Sequence, residues 1–463
     1  MKDEATLHIE LQRVSLPDFG RPDTRPDITA HEYEARARNL YQRLGMDWVV
    51  VYGDREHLAN IAYLSGFDPR FEEALLVLGA DDARWLVVGN EGLGHAVEAK
   101  LPARVTLAQS LSLCGQPRDT APRLADVLRQ IGIGQGARIG VVGWKYLEHD
   151  ETDRPSAPAF VPAMLVNVLS ELVGQAANLI DGTAAMMSPA DGLRAVNSAA
   201  QIAVWEWGAV RASEAVLRIV RAARAGASEY EVVRAMGYEG DPLSAHVLFA
   251  SGSGAINGLR SPGPRLLAAG DGITTGVGYW GGLCARAGLL VDAVDPEFME
   301  TVVTPYYRAV ATWYHTMDVG VLGGAIDATV RGAFGDATFG PLLNPGHLTS
   351  YDEWVHSPIR PGSTVAIASG MALQCDIIPS PLPAGQALNC EDTVVVADPA
   401  LRAELAGAFP QLWSRVRARR AFMHDALGLK LAESLLPLSN APAYLPPFWL
   451  AHDLVPIVIS SDS

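Results

Sequence analysis

From residue 31 the hydrophobic and polar positions fall into alternating helical and extended patterns. HEYEARARNLYQRLG reads as a charged helix, and MDWVVVY follows with the apolar run Trp48 to Tyr52, the signature of a buried strand. ANIAYLSGF, EALLVLG and ARWLVVGN supply further strand candidates, and the helix of APRLADVLRQIGIG leads into the strand of ARIGVVG. Helix and strand alternating across short glycine-containing joints predict an α/β domain over residues 31–185. Residues 1–30 carry three prolines and mixed charge, and read as an extended arm.

A different pattern begins at residue 186. LRAVNSAAQIAVWEWGAVRASEAVLRIVRAARAG is long, amphipathic and ended by Gly226. SEYEVVRAMGY follows with Ser228 as N-cap and Glu231 at the capping-box position. Strand-like pieces (HVLFAS, GITTGV, TVAIAS, MALQCDI, DTVVVAD) come next, separated by Gly/Pro turns. Two helical stretches, DPEFMETVVTPYYRAVATWYHTMDVG and AIDATVRGAF, lie between them. Helices first and antiparallel-looking strands afterwards predict an α+β unit over residues 186–400. Residues 401–463 form a C-terminal extension: a helix, then a proline-rich coil whose Phe448, Trp449 and Leu450 are suited to packing on the body.

The 463 residues suffice for two or three domains at about 150 residues each. Asp plus Glu number 52 against 36 Lys plus Arg, a net charge of -16, which disfavours nucleic acid and anionic membranes as partners. The densest basic run, Arg415, Arg417, Arg419 and Arg420, is short and lies in a helical pattern. Cys114, Cys284, Cys375 and Cys390 are too scattered for a disulfide scaffold or a zinc motif. The opening MKDEATLHIELQ lacks the regions of a secretory signal, and no long apolar run suggests a membrane span. A soluble, cytoplasmic protein is the expectation.

Among candidate motifs, GVGYWGG contains a formal GxGxxG at Gly276, Gly278 and Gly281. No helical periodicity follows it, so tight turns explain these glycines better than a nucleotide loop. No GxSxG or HExxH occurs, and Cys284 and Cys375 sit in apolar strands, where cysteine is ordinarily a small core residue. The stretch from Asn344 to Asp398 is more informative. It sets His347 and His356, nine residues apart, before Asp376 and Glu391, each acid at the edge of an apolar strand. Ionisable groups so placed are expensive to bury unless paired, ligated or used in chemistry. Core histidines with surface acids are the simpler reading of the same pattern.

These segments resemble the creatinase/aminopeptidase P/prolidase superfamily, whose C-terminal domain has the pita-bread fold. ANIAYLSGF, LRAVNSAAQIAVWEWGAVRASEAV, GASEYEVV, LLAAGDGITT, NPGHLTSYDEWVHSP, SGMALQCDI and NCEDTVVV resemble its successive motifs, in order, from Ala59 to Asp398. The resemblance implies a creatinase-like α/β N-terminal domain, a pita-bread C-terminal domain and a homodimer. In metallopeptidase members five side chains hold two metal ions. His347 matches the ligand histidine, Asp376 stands where the first glutamate is expected, Glu391 matches the last glutamate, and His356 matches a substrate-contacting histidine. Both aspartate ligands are missing: no Asp or Glu occurs between Gly272 and Leu290, and Gly276 and Gly282 stand where they are expected. Leu259 and Arg260 occupy the place of a further histidine. No two-ion centre is therefore expected, although His347, Asp376 and Glu391 could hold one divalent ion.

His347, His356, Asp376 and Glu391 remain as acid/base candidates. Arg286 aligns with a family arginine and could clamp a substrate carboxylate, or bridge internally to Glu391 or Asp376. Tyr279 and Trp280 would wall the substrate pocket or pack beneath it. The expected function is hydrolysis of a C–N bond, amide or guanidino-type, in a small molecule or short peptide. An Xaa-Pro peptidase that retains metal, or a catalytically silent binding subunit, are the alternatives.

Overall fold

A computed structural model describes residues 7–459. They divide into two compact units: residues 27–195, and the remainder of the described chain.

The unit of residues 27–195 is built on a six-stranded sheet in the order Arg104–Leu107, Arg84–Val88, Ala74–Leu78, Trp48–Gly53, Ile139–Val142, Leu179–Asp181. Trp48–Gly53 pairs parallel with Ile139–Val142 and antiparallel with Ala74–Leu78. Its apolar run from Val49 to Tyr52 is buried, as expected of a strand covered on both faces. The leading helix, Ala30–Leu44, starts at Thr29, whose side chain caps Glu32 N–H, and stops at Gly45 in the left-handed region. One expected strand is a helix instead. Ala59–Ser65 is helical and wholly buried, and Gly66 at φ 67° ends it. Seven largely apolar residues buried on all sides carry no period that separates strand from helix.

The second unit is dominated by the 24-residue helix Ala199–Ala222, capped by Ser198. It packs Ala212, Val216 and Ile219 against Ile273, Val277 and Cys284 of the sheet. The sheet runs His347–Leu348, Ala372–Cys375, Asn389–Val396, Gly282–Leu289, Gly272–Tyr279, Leu248–Gly252, every pair antiparallel. The capping box predicted at Ser228 and Glu231 is present. TVAIAS, expected to be a strand, contributes only an isolated bridge from Ala366 to Leu322.

The two chain ends are integral to this unit rather than an arm and an extension. His8–Arg13 pairs antiparallel with Leu454–Ile459, and Leu435–Pro437 joins Asn389–Val396. Two helices, Pro399–Ala408 and Pro410–Asp425, meet at Phe409 because Pro410 has no N–H to continue the first. Residues 434–449 are buried throughout, so the proline-rich coil is core. Among the described residues, no helix is long and apolar enough to cross a membrane.

Candidate active site

Three strands and one hairpin of the second unit converge on His347. Its imidazole is fully buried. Nδ1 lies 3.2 Å from the carbonyl of Leu348, which can only accept, so Nδ1 carries a proton and Nε2 faces inward. Around Nε2 stand Glu353 Oε1 at 3.0 Å, Asp376 Oδ2 at 3.9 Å and Glu391 Oε1 at 4.0 Å. Asp376 follows directly on the strand that pairs with His347, and Glu391 lies on the next strand. Asp376 and Glu391 are 6% and 5% exposed, yet Asp376 Oδ1, Glu391 Oε1 and His347 Nε2 have no hydrogen-bond partner. Buried polar atoms without partners point to something the site is built to hold.

Glu353 was not among the expected residues. Val355 N–H donates to Leu348 O and Leu348 N–H to His356 O, folding residues 348–356 back on themselves. Glu353, six residues beyond His347, is thereby returned to the imidazole, and Trp354 stacks on the ring at 4.0 Å and 21°. The trace in the sequence is an acid and an aromatic side chain between two histidines, a signal too common to select.

Burial disfavours a charged His347, but Glu353 and Asp376 more than offset that and raise its pKa. Asp376 is pushed up to about 7, chiefly by burial, with Glu353 adding and His347 opposing. Burial, then Asp376 and Glu353, also drive the Glu391 carboxyl well above its ordinary range. Three carboxylates crowded at one imidazole cannot all ionise without a compensating positive charge.

The remaining candidates are placed differently from expectation. His356 is not in the group whose ligand atoms lie within 4.8 Å of one another, which is His347, Glu353 and Glu391. Its Nδ1 accepts the N–H of Ser357 at 2.8 Å. Arg286 is neither a substrate clamp nor a partner of Glu391 or Asp376 side chains. It is fully buried, and its five N–H groups are met by Asp392 Oδ2 at 2.7 Å and by the carbonyls of Tyr444, Ala285, Glu391 and Ala441. Tyr279 is packed in the core against the long helix. Trp280 meets Tyr351 edge-on at 5.2 Å with the Arg25 guanidinium 5.3 Å from its ring centroid. Both aromatics line a small hollow with Arg25, Trp207 and Asp241, to which none of the His347 cluster contributes. Cys284, Cys375 and Cys390 are buried, and burial pushes their thiols upward, as befits core residues.

The register also identifies what flanks Glu391. Ala285 lies directly opposite Glu391, and Gly276 directly opposite Ala285, so the three share one face. A Cβ at Gly276 would stand 3.6 Å from that of Ala285, whereas one at Gly282 would meet Ala209 of the long helix at 3.0 Å. Across the sheet from Glu391 it is therefore Ala285, and not Gly282, that faces the His347 cluster. Neither Gly276 nor Ala285 offers a ligand atom.

Residues 35–152 match the creatinase/prolidase N-terminal domain family. Solved structures share the fold over most of the chain. The Xaa-Pro dipeptidase from Bacillus anthracis is 16% identical with a TM-score of 0.59, the alignment covering 80% of this chain and 95% of that one. The prolidase from Thermococcus sibiricus is 18% identical with a TM-score of 0.60, over 80% and 94%. The dipeptidase PepE from Mycobacterium ulcerans is 20% identical with a TM-score of 0.57, over 82% and 95%. No curated protein sequence matches. Residues 35–152 thus carry the creatinase/prolidase N-terminal domain, and over most of the chain the fold is that of solved Xaa-Pro dipeptidases and prolidases. It combines a creatinase-type α/β domain with a pita-bread domain.

Proposed function

We propose that this protein hydrolyses a C–N bond of a small molecule at the His347 cluster, without a two-ion centre. The observation that carries the reading is the ring of Glu353, Asp376 and Glu391 around one buried imidazole nitrogen, with no donor at Gly276 or Ala285 in the same row. A pair of divalent ions needs bridging and terminal oxygen ligands from several carboxylates, and two of those positions carry only a methyl group and a hydrogen here. The solved relatives include a dipeptidase, an X-Pro aminopeptidase and prolidases, which supports amide C–N chemistry as the reaction class.

Within this reading His347, held by its Nδ1–H on Leu348 O, presents Nε2 to the attacking water and takes its proton. Glu353 stabilises the imidazolium that results. Asp376, whose pKa of about 7 lets it carry a proton near neutrality, supplies that proton to the departing nitrogen. His347, Glu353 and Glu391 would also serve as a donor set for one divalent ion, which would take the Nε2 lone pair and polarise water in place of the imidazole base.

The test is a panel of Xaa-Pro dipeptides, small amides and guanidino compounds offered to purified wild-type protein and to His347→Gln. Removal of a general base is expected to lower turnover by about 10²–10⁴-fold. Undiminished turnover in His347→Gln would refute the assignment. A wild-type protein that cleaves no panel compound but retains one in equilibrium dialysis would place it among binding proteins.

A further inference from the structure

We infer that the hollow at Arg25 is a binding site for a small carboxylate with a flat apolar body, separate from the His347 cluster. It does not depend on the hydrolase reading, since none of the cluster residues lines the hollow. Trp207, Tyr279, Trp280 and Pro242 form its walls, and Asp241 and Arg25 bring charge to it.

The chain leading to Arg25 is pinned to the larger unit at three points. Phe19 meets Phe422 edge-on at 5.8 Å, the Gly20 carbonyl accepts Asn440 Nδ2–H at 3.0 Å, and Arg21 lies 3.6 Å from Glu239. Pro26 follows Arg25 and biases it to extended backbone. The Arg25 guanidinium then rests over the Trp280 ring, 5.3 Å from its centroid. Among the described residues no carboxylate pairs with it. A guanidinium held on an aromatic face keeps its fork of N–H donors for a planar anion.

The other charges at the hollow cancel. Arg211 lies over the Trp207 ring at 4.0 Å and pairs with Glu239 at 2.6 Å and with Asp241 at 3.0 Å. Arg21 and Arg211 thus balance Glu239 and Asp241, and the Arg25 charge is left over. Trp207 supplies a second donor. It is 9% exposed, and no acceptor meets its indole N–H. A buried N–H without a partner carries a desolvation cost that an acceptor in the hollow would offset. One guanidinium and one indole N–H call for a monoanion with planar acceptor oxygens, and the aromatic walls call for an apolar body. The space is about 210 Å³ and open to solvent, below the about 300–1,000 Å³ of sites for drug-sized ligands, which keeps the ligand small.

The experiment is isothermal titration of benzoate into the full-length protein, with benzamide and inorganic phosphate titrated alongside. Wild type is expected to bind benzoate saturably with a Kd of about 1 mM or below. Arg25→Gln is expected to weaken binding by at least about 10-fold through loss of a charge-assisted pair. Arg25 is exposed, so this variant leaves the core undisturbed. Trp207→Phe, which keeps a ring and removes the N–H, is expected to weaken it by about 5-fold. Benzamide, the neutral isostere, is expected to bind at least about 10-fold more weakly than benzoate. His347→Gln is expected to leave benzoate affinity unchanged, which separates this site from the catalytic cluster. No saturable binding of benzoate to wild type, equal affinity in Arg25→Gln, or loss of binding in His347→Gln would each overturn the inference. Phosphate bound as tightly as benzoate would overturn the choice of a carboxylate.

Discussion

Asp392→Ala is expected to destabilise the larger unit by about 3–5 kcal/mol, measured by urea unfolding, because it strands a fully buried guanidinium. Asp392 Oδ2 pairs with Arg286 at 2.7 Å and accepts Ala443 N–H, while Oδ1 accepts the Ser439 hydroxyl at 2.6 Å. Burial raises the Asp392 pKa, opposed first by Arg286 and then by its hydrogen bonds, so the pair is sustained only as a unit. Arg286 lies on the opposite face of its strand from Ala285, and Asp392 likewise from Glu391. The double variant Arg286→Met/Asp392→Leu should recover much of the loss, since apolar replacement of both partners removes the desolvation cost. An Asp392→Ala variant as stable as wild type would show that Arg286 does not depend on this partner.

Gly281→Ala is expected to cost at least about 3 kcal/mol, from left-handed backbone strain combined with a steric clash. Gly281 has φ 95°, and a Cβ there would fall 2.1 Å from a ring atom of Trp205 and 2.7 Å from its Cα. The long helix cannot yield at its own backbone, so the turn between the Gly272–Tyr279 and Gly282–Leu289 strands must move. That turn is tied to the site: Gly281 N–H donates to Ser350 O at 2.7 Å, three residues before Glu353. Gly281→Ala should therefore weaken cation binding as well as lower the melting temperature. A variant with the wild-type melting temperature would show that the turn relaxes freely.

Much of the larger unit was legible because its determinants are local. The Ser228/Glu231 capping box and the apolar runs GITTGV, MALQCDI and DTVVVAD are each written within about ten residues. The order of motifs then brought His347, Asp376 and Glu391 together. What escaped were pairings. Whether Gly282 or Ala285 faces Glu391 depends on strand register, and a shift of one residue changes the face. Asp392, the partner of Arg286, is adjacent in sequence to the site residue Glu391, and alternation along the strand sends the two to opposite sides. Glu353 reaches His347 only through a hairpin closed by backbone bonds, which no spacing rule marks. The helix Ala59–Ser65 was hidden by uniform burial, and the chain ends read as appendages because their pairing, His8 with Ile459, spans almost the whole sequence.

The most direct test of a His347 cluster without a two-ion centre is an anomalous difference map from crystals soaked in Mn²⁺. One peak per chain, in contact with His347 Nε2, Glu353 and Glu391, is the predicted result. Two peaks about 3.5–4 Å apart, the spacing of a two-ion hydrolase, or a single peak out of reach of Glu353, would contradict it.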